Sequence, residues 1–235
     1  MSNVVIHAEN LTKQFTLRHN RGGLKKKFLG IFDAQLRERS ESFTAVNDVS
    51  LTLKKGESLA LIGHNGSGKS TLLQLISGIL TPTAGKLSTT GRVAPLIELG
   101  VGFHPELTGG ENIYLNASLF GLRNKETRSR FNEIVDFSGL GDFIDTPVKN
   151  YSSGMYMRLG FSVAVHVEPQ TLLADEVLAV GDQDFKHKCH QRIREMQEDG
   201  MALILVTHSV EEGQLFCQRY LTLERGKAID YGSFK

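Results

Sequence analysis

Excess charge, cysteine and long apolar runs are scarce in this sequence of 235 residues. The net charge of +1 argues against bulk binding to nucleic acid, although it does not exclude a local basic patch. No stretch approaches the roughly 18 consecutive apolar residues that a membrane-spanning helix needs. The first residues, Met1 to Val5, lack the basic and then apolar order that is typical of a secretory signal. These absences favour a globular, cytoplasmic protein.

The two cysteines, Cys189 and Cys217, do not have the spacing of metal ligands. We interpret them as free structural thiols. The apolar fraction of 40% and the charged fraction of 23% are ordinary for a globular chain. This length fits one large α/β domain or a core that carries an inserted subdomain.

A glycine-rich segment, Gly63 to Ser70, follows one apolar run and precedes another. Leu59 to Ile62 predicts a short buried strand, and Ser70 to Ile76 predicts the start of a helix. In that context the pattern G-x-x-x-x-G-K-S is typical of a Walker A loop, whose glycines let backbone N–H groups point at phosphate oxygens. The alternative is a glycine-rich turn with a chance lysine, which the flanking strand and helix disfavour.

The Walker A assignment gives individual residues a chemical role. Lys69 is expected to reach the β- and γ-phosphates of a nucleotide, and the Ser70 hydroxyl is expected to hold Mg²⁺. The sequence therefore predicts a nucleotide-binding protein. The candidate binding residues of the loop are Gly63, His64, Asn65, Gly66, Ser67, Gly68, Lys69, Ser70 and Thr71.

An acidic pair, Asp175-Glu176, ends a second apolar run that begins at Thr171. A strand end of this kind presents Asp175 to Mg²⁺, while Glu176 stands beside the γ-phosphate and can polarise a water molecule. An acidic pair that ends a strand is common, so the pattern alone is weak. About 100 residues after a Walker A loop, in a chain of alternating strands and helices, it becomes a credible Walker B motif.

A third segment, Tyr151-Ser152-Ser153-Gly154-Met155, stands at the start of a predicted helix. Two hydroxyl groups and a glycine at a helix N-terminus form a second surface that suits a phosphate group. The alternative is an ordinary helix cap, in which Ser152 or Ser153 satisfies the first turn. The position between the two Walker motifs favours the phosphate-binding interpretation.

The remaining pattern divides the chain into a core and two insertions. Alternating apolar residues predict strands over 4–8 and 46–53, and a strand pair over 86–90 and 92–96 that is joined near Gly91. Helical periodicity predicts a subdomain over about 105–168, between glycine-rich joints. The expected core therefore covers about 1–97 and 169–235, interrupted by a basic insertion over about 18–42.

The basic insertion over 18–42 is also amphipathic. Its basic side chains outnumber its acidic ones, and its apolar residues fall near helical spacing beside Lys25, Lys26 and Lys27. One interpretation is a solvated insertion whose apolar side packs on the core. The other is a segment that lies against a membrane surface or a membrane partner.

With these motifs in this order, the chain resembles the nucleotide-binding domain of an ABC transporter over essentially its full length. The segment from Tyr151 to Met155 is similar to the family signature, Leu-Ser-Gly-Gly-Gln, with Ser153 in place of the first glycine and Met155 in place of the glutamine. Residues 179–182 occupy the D-loop position, and His208 matches the switch histidine. The resemblance implies an α/β fold, that of a P-loop NTPase, whose ABC-type ATPase core has an antiparallel β part and an inserted helical subdomain.

The resemblance also implies a mechanism that uses ATP and Mg²⁺ as cofactors. Two copies would stack head to tail, so that each ATP lies between the Walker A loop of one chain and the signature of the other. Glu176 would act as general base, and His208 would contact the γ-phosphate. Closure on ATP and reopening after hydrolysis would drive a transmembrane permease. The residues implied on the opposite side of the nucleotide are Ser152, Ser153, Gly154, Met155 and Asp182.

Two further contacts depend on the family pattern. Phe15 stands where the family places an aromatic residue that stacks on adenine, but Phe43 is a rival and Phe15 also fits a core position. The family's glutamine ligand to Mg²⁺ has no counterpart in the segment before the helical subdomain. Glu98 is the nearest candidate, because a glutamate can coordinate the metal with greater charge.

Three segments, 95–109, 151–155 and 175–182, look like the subfamily that exports lipid-linked polysaccharides. That resemblance implies a glycan on an undecaprenyl pyrophosphate carrier, with O-antigen favoured and capsule or teichoic acid as alternatives. It further implies an ATPase homodimer at the cytoplasmic face of the bacterial inner membrane. Its partners would be a permease and the lipid-linked glycan, and not nucleic acid. Alternatives of another class are a soluble ABC ATPase of translation or DNA repair and a regulatory cassette that only binds ATP.

Overall fold

The computed structural model of the chain describes residues 3–18, 40–96, 100, 102–175 and 181–234. Two candidate site residues, Glu98 and Glu176, lie outside the described residues, as does most of the basic insertion predicted over 18–42. Within the described ranges the chain forms an antiparallel sheet, a mainly parallel sheet and a set of helices. None of those helices combines the length and the apolar character that crossing a membrane requires.

The antiparallel sheet has the strand order β2-β1-β4, with β1 over Val4–Arg18, β2 over Ser40–Lys54 and β4 over Ala84–Thr89. On β1 the buried Ile6 and Ala8 alternate with exposed residues, as a half-buried strand requires. The pairing with β2 shifts between Ala8 and Leu11, so Leu11 is buried although it breaks the alternation. The predicted strand over 4–8 is therefore the first part of a longer strand.

The larger sheet has the strand order β5-β6-β7-β3-β8-β9. Five of its strands run parallel to one another, and β9 runs antiparallel to β8. Every residue of β7 is buried, as the apolar composition of a central parallel strand predicts. Because parallel strands end at the same edge, the last residues of β3, β6 and β7, which are Ile62, Asp175 and Thr207, lie close together there. The strands are β3 over Ser58–Ile62, β5 over Val93–Leu96, β6 over Thr171–Asp175, β7 over Ala202–Thr207, β8 over Arg219–Glu224 and β9 over Lys227–Ser233.

The structure corrects the predicted pairing of residues 86–90 with residues 92–96. β4 pairs with β1 in the antiparallel sheet, whereas β5 pairs with β6 at the edge of the larger sheet. The connection at Gly91, with a φ of 80°, therefore passes between two sheets and closes no hairpin. The prediction was wrong because alternation identifies a strand but not its partner, and the fully buried Ala94 and Leu96 require the larger sheet.

The described ranges contain six α-helices, which are α1 over Lys69–Ile76, α2 over Gly109–Leu119, α3 over Asn124–Ser138, α4 over Ser153–His166, α5 over Gln183–Glu198 and α6 over Val210–Phe216. The helices α2, α3 and α4 pack on one another inside the predicted subdomain of 105–168. Their buried residues Ile113, Ile134 and Phe161 belong to the same apolar cluster as Leu205 of β7. This helical block is therefore attached to the parallel sheet through a shared core.

Both cysteines are buried free thiols. Burial raises the pKa of the Cys189 thiol and that of the Cys217 thiol to about 12, so neither forms a thiolate near neutral pH. Both belong to the apolar cluster that the helices share with the sheet. Their surroundings agree with the structural role predicted for them.

The loop that enters the helical block is bound by one buried side chain, Asn112 of α2. Its Nδ2 atom donates to the carbonyl oxygens of His104 at 3.1 Å, Leu107 at 3.0 Å and Thr108 at 2.9 Å. Its Oδ1 atom accepts a hydrogen bond from the backbone N–H of His104 at 2.7 Å. One amide group therefore holds both ends of this loop against α2.

We predict that Asn112→Ala lowers the free energy of unfolding by about 2–4 kcal/mol, because the loop carbonyls lose their buried donor. Urea unfolding followed by circular dichroism measures the change. Asn124→Ala is the matched control, since Asn124 is exposed at the start of α3. Its stability should stay within about 0.5 kcal/mol of the wild type. Equal losses of unfolding free energy in the two variants would contradict the role of Asn112 in holding this loop.

Candidate functional site

A cavity of about 540 Å³ lies at the edge of the parallel sheet where β3 ends. Apart from two residues of β2, every residue that lines it belongs to the predicted Walker A and Walker B motifs. The cavity therefore lies where the sequence predicts nucleotide binding. The lining residues are Phe43, Ala45, Asn65, Gly66, Gly68, Lys69, Ser70, Thr71 and Asp175.

The backbone of the phosphate loop requires glycine at two positions of the cavity wall. Gly66 and Gly68 have φ angles of 79° and 104°, in the left-handed region that other residues rarely adopt. At Gly68 a Cβ atom would also overlap the carbonyl oxygen of Ala45, because β2 passes close to the start of α1. The loop can curl between β3 and α1 only with these residues.

The ammonium group of Lys69 lies inside the curl of the phosphate loop. Its Nζ atom donates to the carbonyl oxygen of Gly63 at 2.7 Å and to that of His64 at 3.1 Å. The residue is only 6% exposed, so backbone acceptors replace water around the charge. A cation beside the N-terminus of α1 creates a positive potential that suits a phosphate group.

Ser70 and Asp175 meet at the cavity although 105 positions separate them in the sequence. Ser70 Oγ donates to Asp175 Oδ2 at 3.0 Å. A hydroxyl and a carboxylate fit Mg²⁺, which usually takes one or two carboxylates and completes its coordination with phosphate oxygens and water. Across the described residues, no three side chains of His, Cys, Asp or Glu come together to hold a metal ion by themselves. The pair therefore suits a metal ion that arrives with a nucleotide.

His208 follows β7 at the same edge of the sheet. The register pairs Thr207 with Ile62, the last residue of β3, so the histidine comes directly after a residue that lies beside the phosphate loop. Thr207 Oγ1 donates to Glu212 Oε2 at 2.5 Å and accepts from the backbone N–H of Ser209 at 3.0 Å. These two bonds fix the turn that contains His208, whose own side chain is exposed.

The β8–β9 hairpin makes a contact with the phosphate loop that the sequence does not predict. The Gly226 N–H donates to the carbonyl oxygen of Ser67 at 2.9 Å, and the Gly226 carbonyl accepts from the Asn47 N–H at 2.8 Å. Arg225 and Gly226 have φ angles of 47° and 80°, as a two-residue turn of type I′ requires. No local signal in the sequence indicates that this turn contacts a loop so distant along the chain.

The signature segment forms the N-terminus of α4. Ser152 is the N-cap residue, and its Oγ accepts a hydrogen bond from the Met155 N–H at 3.2 Å, so the cap predicted as the alternative is present. Ser152 and Ser153 are exposed. Together with Gly154 and Met155 they stand outside the lining of the cavity that the described part of their own chain forms. The helix nevertheless presents a positive dipole end that suits a phosphate group.

Three other candidate residues either do not line the cavity or lie outside the described residues. Asp182 is the N-cap of α5, where its Oδ1 atom accepts from the Phe185 N–H at 2.8 Å, and it is not among the lining residues. Glu98 and Glu176 lie outside the described residues, so their predicted roles stay predictions.

The two aromatic candidates for base stacking are direct neighbours in the antiparallel sheet, where Phe15 of β1 pairs with Phe43 of β2. Phe43 lines the cavity and is 55% exposed. Phe15 is not among the lining residues, and the Nζ atom of Lys13 lies 5.3 Å from its ring centroid. The placement favours Phe43, the rival of Phe15, as the residue that contacts a base.

The fold and the site define a P-loop nucleotide-binding protein, because a glycine-rich loop leads from a central parallel strand into a helix and Lys69, Ser70 and Asp175 surround one cavity. Comparison with known proteins identifies the family. Residues 46–179 match the ABC transporter family. The chain belongs to this family and is an ABC-type ATPase.

Individual relatives agree with this assignment. The chain is 47% identical to the O-antigen export system ATP-binding protein RfbB of Klebsiella pneumoniae, over 97% of this chain and 94% of the relative. It is 37% identical to the teichoic acids export ATP-binding protein TagH of Staphylococcus haemolyticus, over 99% of this chain and 86% of the relative. Its fold is similar to a dimeric post-hydrolysis state of the ATP-binding cassette MJ0796 bound to ADP and Pi, with a TM-score of 0.76 and 22% identity over 98% of this chain and 99% of the other. The predicted α/β fold of an ABC-type ATPase is confirmed.

We predict that Phe43→Ala weakens ATP binding more than Phe15→Ala does, because only the first side chain lines the cavity. Loss of a stacked ring, worth about 1 kcal/mol, should raise the dissociation constant about fivefold. Titration with a fluorescent ATP analogue measures both variants. Phe15→Ala is the control on the neighbouring strand, and a larger effect there would return the stacking role to Phe15.

Proposed function

We propose that the chain is the ATP-binding and ATP-hydrolysing subunit of an ABC transporter that exports an undecaprenyl-linked polysaccharide, namely O-antigen, across the inner membrane. The observation that carries the proposal is the 47% identity to an O-antigen export ATP-binding protein over 97% of the chain. The alternative is a teichoic acid or capsule exporter, which the 37% identity to a teichoic acids export ATP-binding protein supports.

The geometry of the cavity supports separate roles for its residues in binding and hydrolysing ATP. The phosphate loop holds the phosphates through its backbone N–H groups and Lys69. Ser70 and Asp175 would hold Mg²⁺, and the ion would supply positive charge where negative charge develops on the transferred phosphoryl group. Glu176, next to Asp175 in the sequence, polarises the attacking water. His208, which follows the adjacent strand β7, contacts the γ-phosphate.

Two copies of the chain complete each site in this proposal. The signature residues Ser152, Ser153, Gly154 and Met155 do not line the cavity of their own chain, but the first two are exposed at a helix N-terminus. A second copy stacked head to tail brings that N-terminus to the γ-phosphate, with Asp182 beside it. Each ATP then lies at the interface between the copies, and closure and reopening of that interface drive a transmembrane permease.

The proposed location is the cytoplasmic face of the bacterial inner membrane, where the subunit binds peripherally through the permease. The lipid-linked glycan is a further proposed partner. A net charge of +1 supports the expectation that nucleic acid is not one. A regulatory cassette without turnover is disfavoured, because the sequence keeps the carboxylate of Glu176 directly after Asp175.

Glu176→Gln should leave ATP binding intact and lower the turnover number by a factor of about 10² to 10⁴, because an amide is not a general base. Phosphate release measures turnover, and size-exclusion chromatography with ATP shows whether the variant accumulates as a dimer. Glu198→Gln, at the exposed end of α5, is the matched control and should behave as the wild type. Unchanged turnover in Glu176→Gln would refute its role, and a wild-type chain that hydrolyses no ATP would refute the proposed function.

The lysines Lys25, Lys26 and Lys27 provide a test of the contact with the lipid-linked glycan. They lie outside the described residues, so this step rests on the sequence. Replacing all three by glutamine should lower polysaccharide export or lipid-stimulated ATP hydrolysis, because the segment loses its attraction to anionic headgroups and pyrophosphate. The same charge change in the triple variant Lys54→Gln, Lys55→Gln, Lys86→Gln is the control. Wild-type export and lipid stimulation in the first triple variant would remove the membrane role of this segment.

A further inference from the structure

Arg158 of α4 connects three elements through one guanidinium group. Its Nε atom donates to the carbonyl oxygen of Ser138, at the end of α3, at 2.9 Å. Its Nη1 atom lies 3.5 Å from Asp182 Oδ2, at the start of α5. Its Cζ atom lies 4.8 Å from the centroid of the Phe185 ring, in the first turn of α5. The side chain therefore extends from the helix that begins at the signature to the end of the D-loop segment.

Two glycines, Gly139 and Gly181, lie next to the Arg158 side chain. Gly139 ends α3 with a φ of 65°, and a Cβ atom there would lie 2.5 Å from Arg158 Nη2. At Gly181 a Cβ atom would lie 3.5 Å from Arg158 Cγ, in ordinary contact. The lack of a side chain at Gly139 therefore lets the guanidinium group approach the end of α3 without displacement.

Asp182 is held from two directions. Its Oδ1 atom accepts from the Phe185 N–H and caps α5, while its Oδ2 atom faces Arg158. Arg158 lies in the second turn of α4, close behind Ser152, which caps that helix. The ion pair therefore joins the N-termini of two helices, one from the signature and one from the D-loop.

We propose that Arg158 is a positioning residue that holds Asp182 in a fixed place relative to the signature residues 152–154. The two segments then approach the ATP of a second copy as one rigid unit. This inference rests on the proposed head-to-tail dimer. A shift of about 1 Å at a reacting centre can lower turnover about a hundredfold, so the spacing of these segments matters to hydrolysis. A planar guanidinium can make all three contacts at once, whereas a lysine ammonium is a single point charge.

Arg158→Lys is the first test, because it keeps the charge and removes the planar group. We expect the turnover number for ATP to fall about tenfold or more. The dissociation constant of Mg-ADP, which reports on the phosphate loop of one chain, should stay within about twofold of the wild type. A decrease in turnover with intact Mg-ADP binding separates positioning from a general loss of structure.

Arg130→Lys is the matched control. Arg130 of α3 makes an ion pair with Glu168 at 2.7 Å, and its side chain is 20% exposed, against 27% for Arg158. This pair links two parts of the helical block and does not link the block to α5. The turnover number of Arg130→Lys should therefore stay within about twofold of the wild type.

Asp182→Asn supplies an independent measurement, since asparagine still caps α5 but presents no charge to Arg158. If Arg158 acts through Asp182, the double variant should be no slower than the slower single variant. Multiplied losses in the double variant would overturn the proposal. So would wild-type turnover in Arg158→Lys, an equal loss in Arg130→Lys, or weakened Mg-ADP binding that accounts for the loss. A wild-type chain without ATP hydrolysis would instead refute the proposed function.

Discussion

A buried ammonium group at the start of α1 is the constraint on which the rest of the site depends. Burying an unpaired charge is strongly unfavourable, and the carbonyl oxygens of Gly63 and His64 compensate by accepting from Lys69. The loop can follow that path because Gly68 leaves room for β2 beside it. The hairpin at Gly226 binds the same loop through its backbone. An element that precedes the loop in the sequence and one that follows it therefore meet at the loop that surrounds the Lys69 ammonium group.

The strand order of the parallel sheet brings distant parts of the chain to that loop. β3 lies between β7 and β8, and β6 lies next to β7. The register pairs Ile62 with Thr207 and Asp175 with Val206, so Asp175 and His208 arrive at the edge where the phosphate loop begins. The hydrogen bond from Ser70 to Asp175 is a consequence of this register. Buried strands thus determine the geometry of the site, while the loops at their ends carry its chemistry.

Features that depend on neighbours in the sequence could be predicted, and features that depend on distant partners could not. The phosphate loop, the buried strand β7 and the hairpin at Gly226 each have a local pattern of glycine or apolar residues. The partner of β4 has no such pattern, and neither has the contact between that hairpin and the phosphate loop. Phe15 and Phe43 show the same limit, because the two residues are directly paired and only the position of β2 beside the phosphate loop decides that Phe43 lines the cavity.

The helical block presents an exposed helix N-terminus that does not line the cavity of its own chain, and the contacts of that helix bear on how two cavities would respond to each other in the proposed dimer. α4 shares an apolar cluster with β7, and Tyr156 near its start donates from Oη to the carbonyl oxygen of Gly100 at 2.9 Å. On another side, Arg158 faces Asp182. The signature end of α4 is therefore bound both to Gly100 and to α5. In a head-to-tail dimer, a displacement around one ATP would move the helix N-terminus that contacts the other ATP, so the two sites would not act independently.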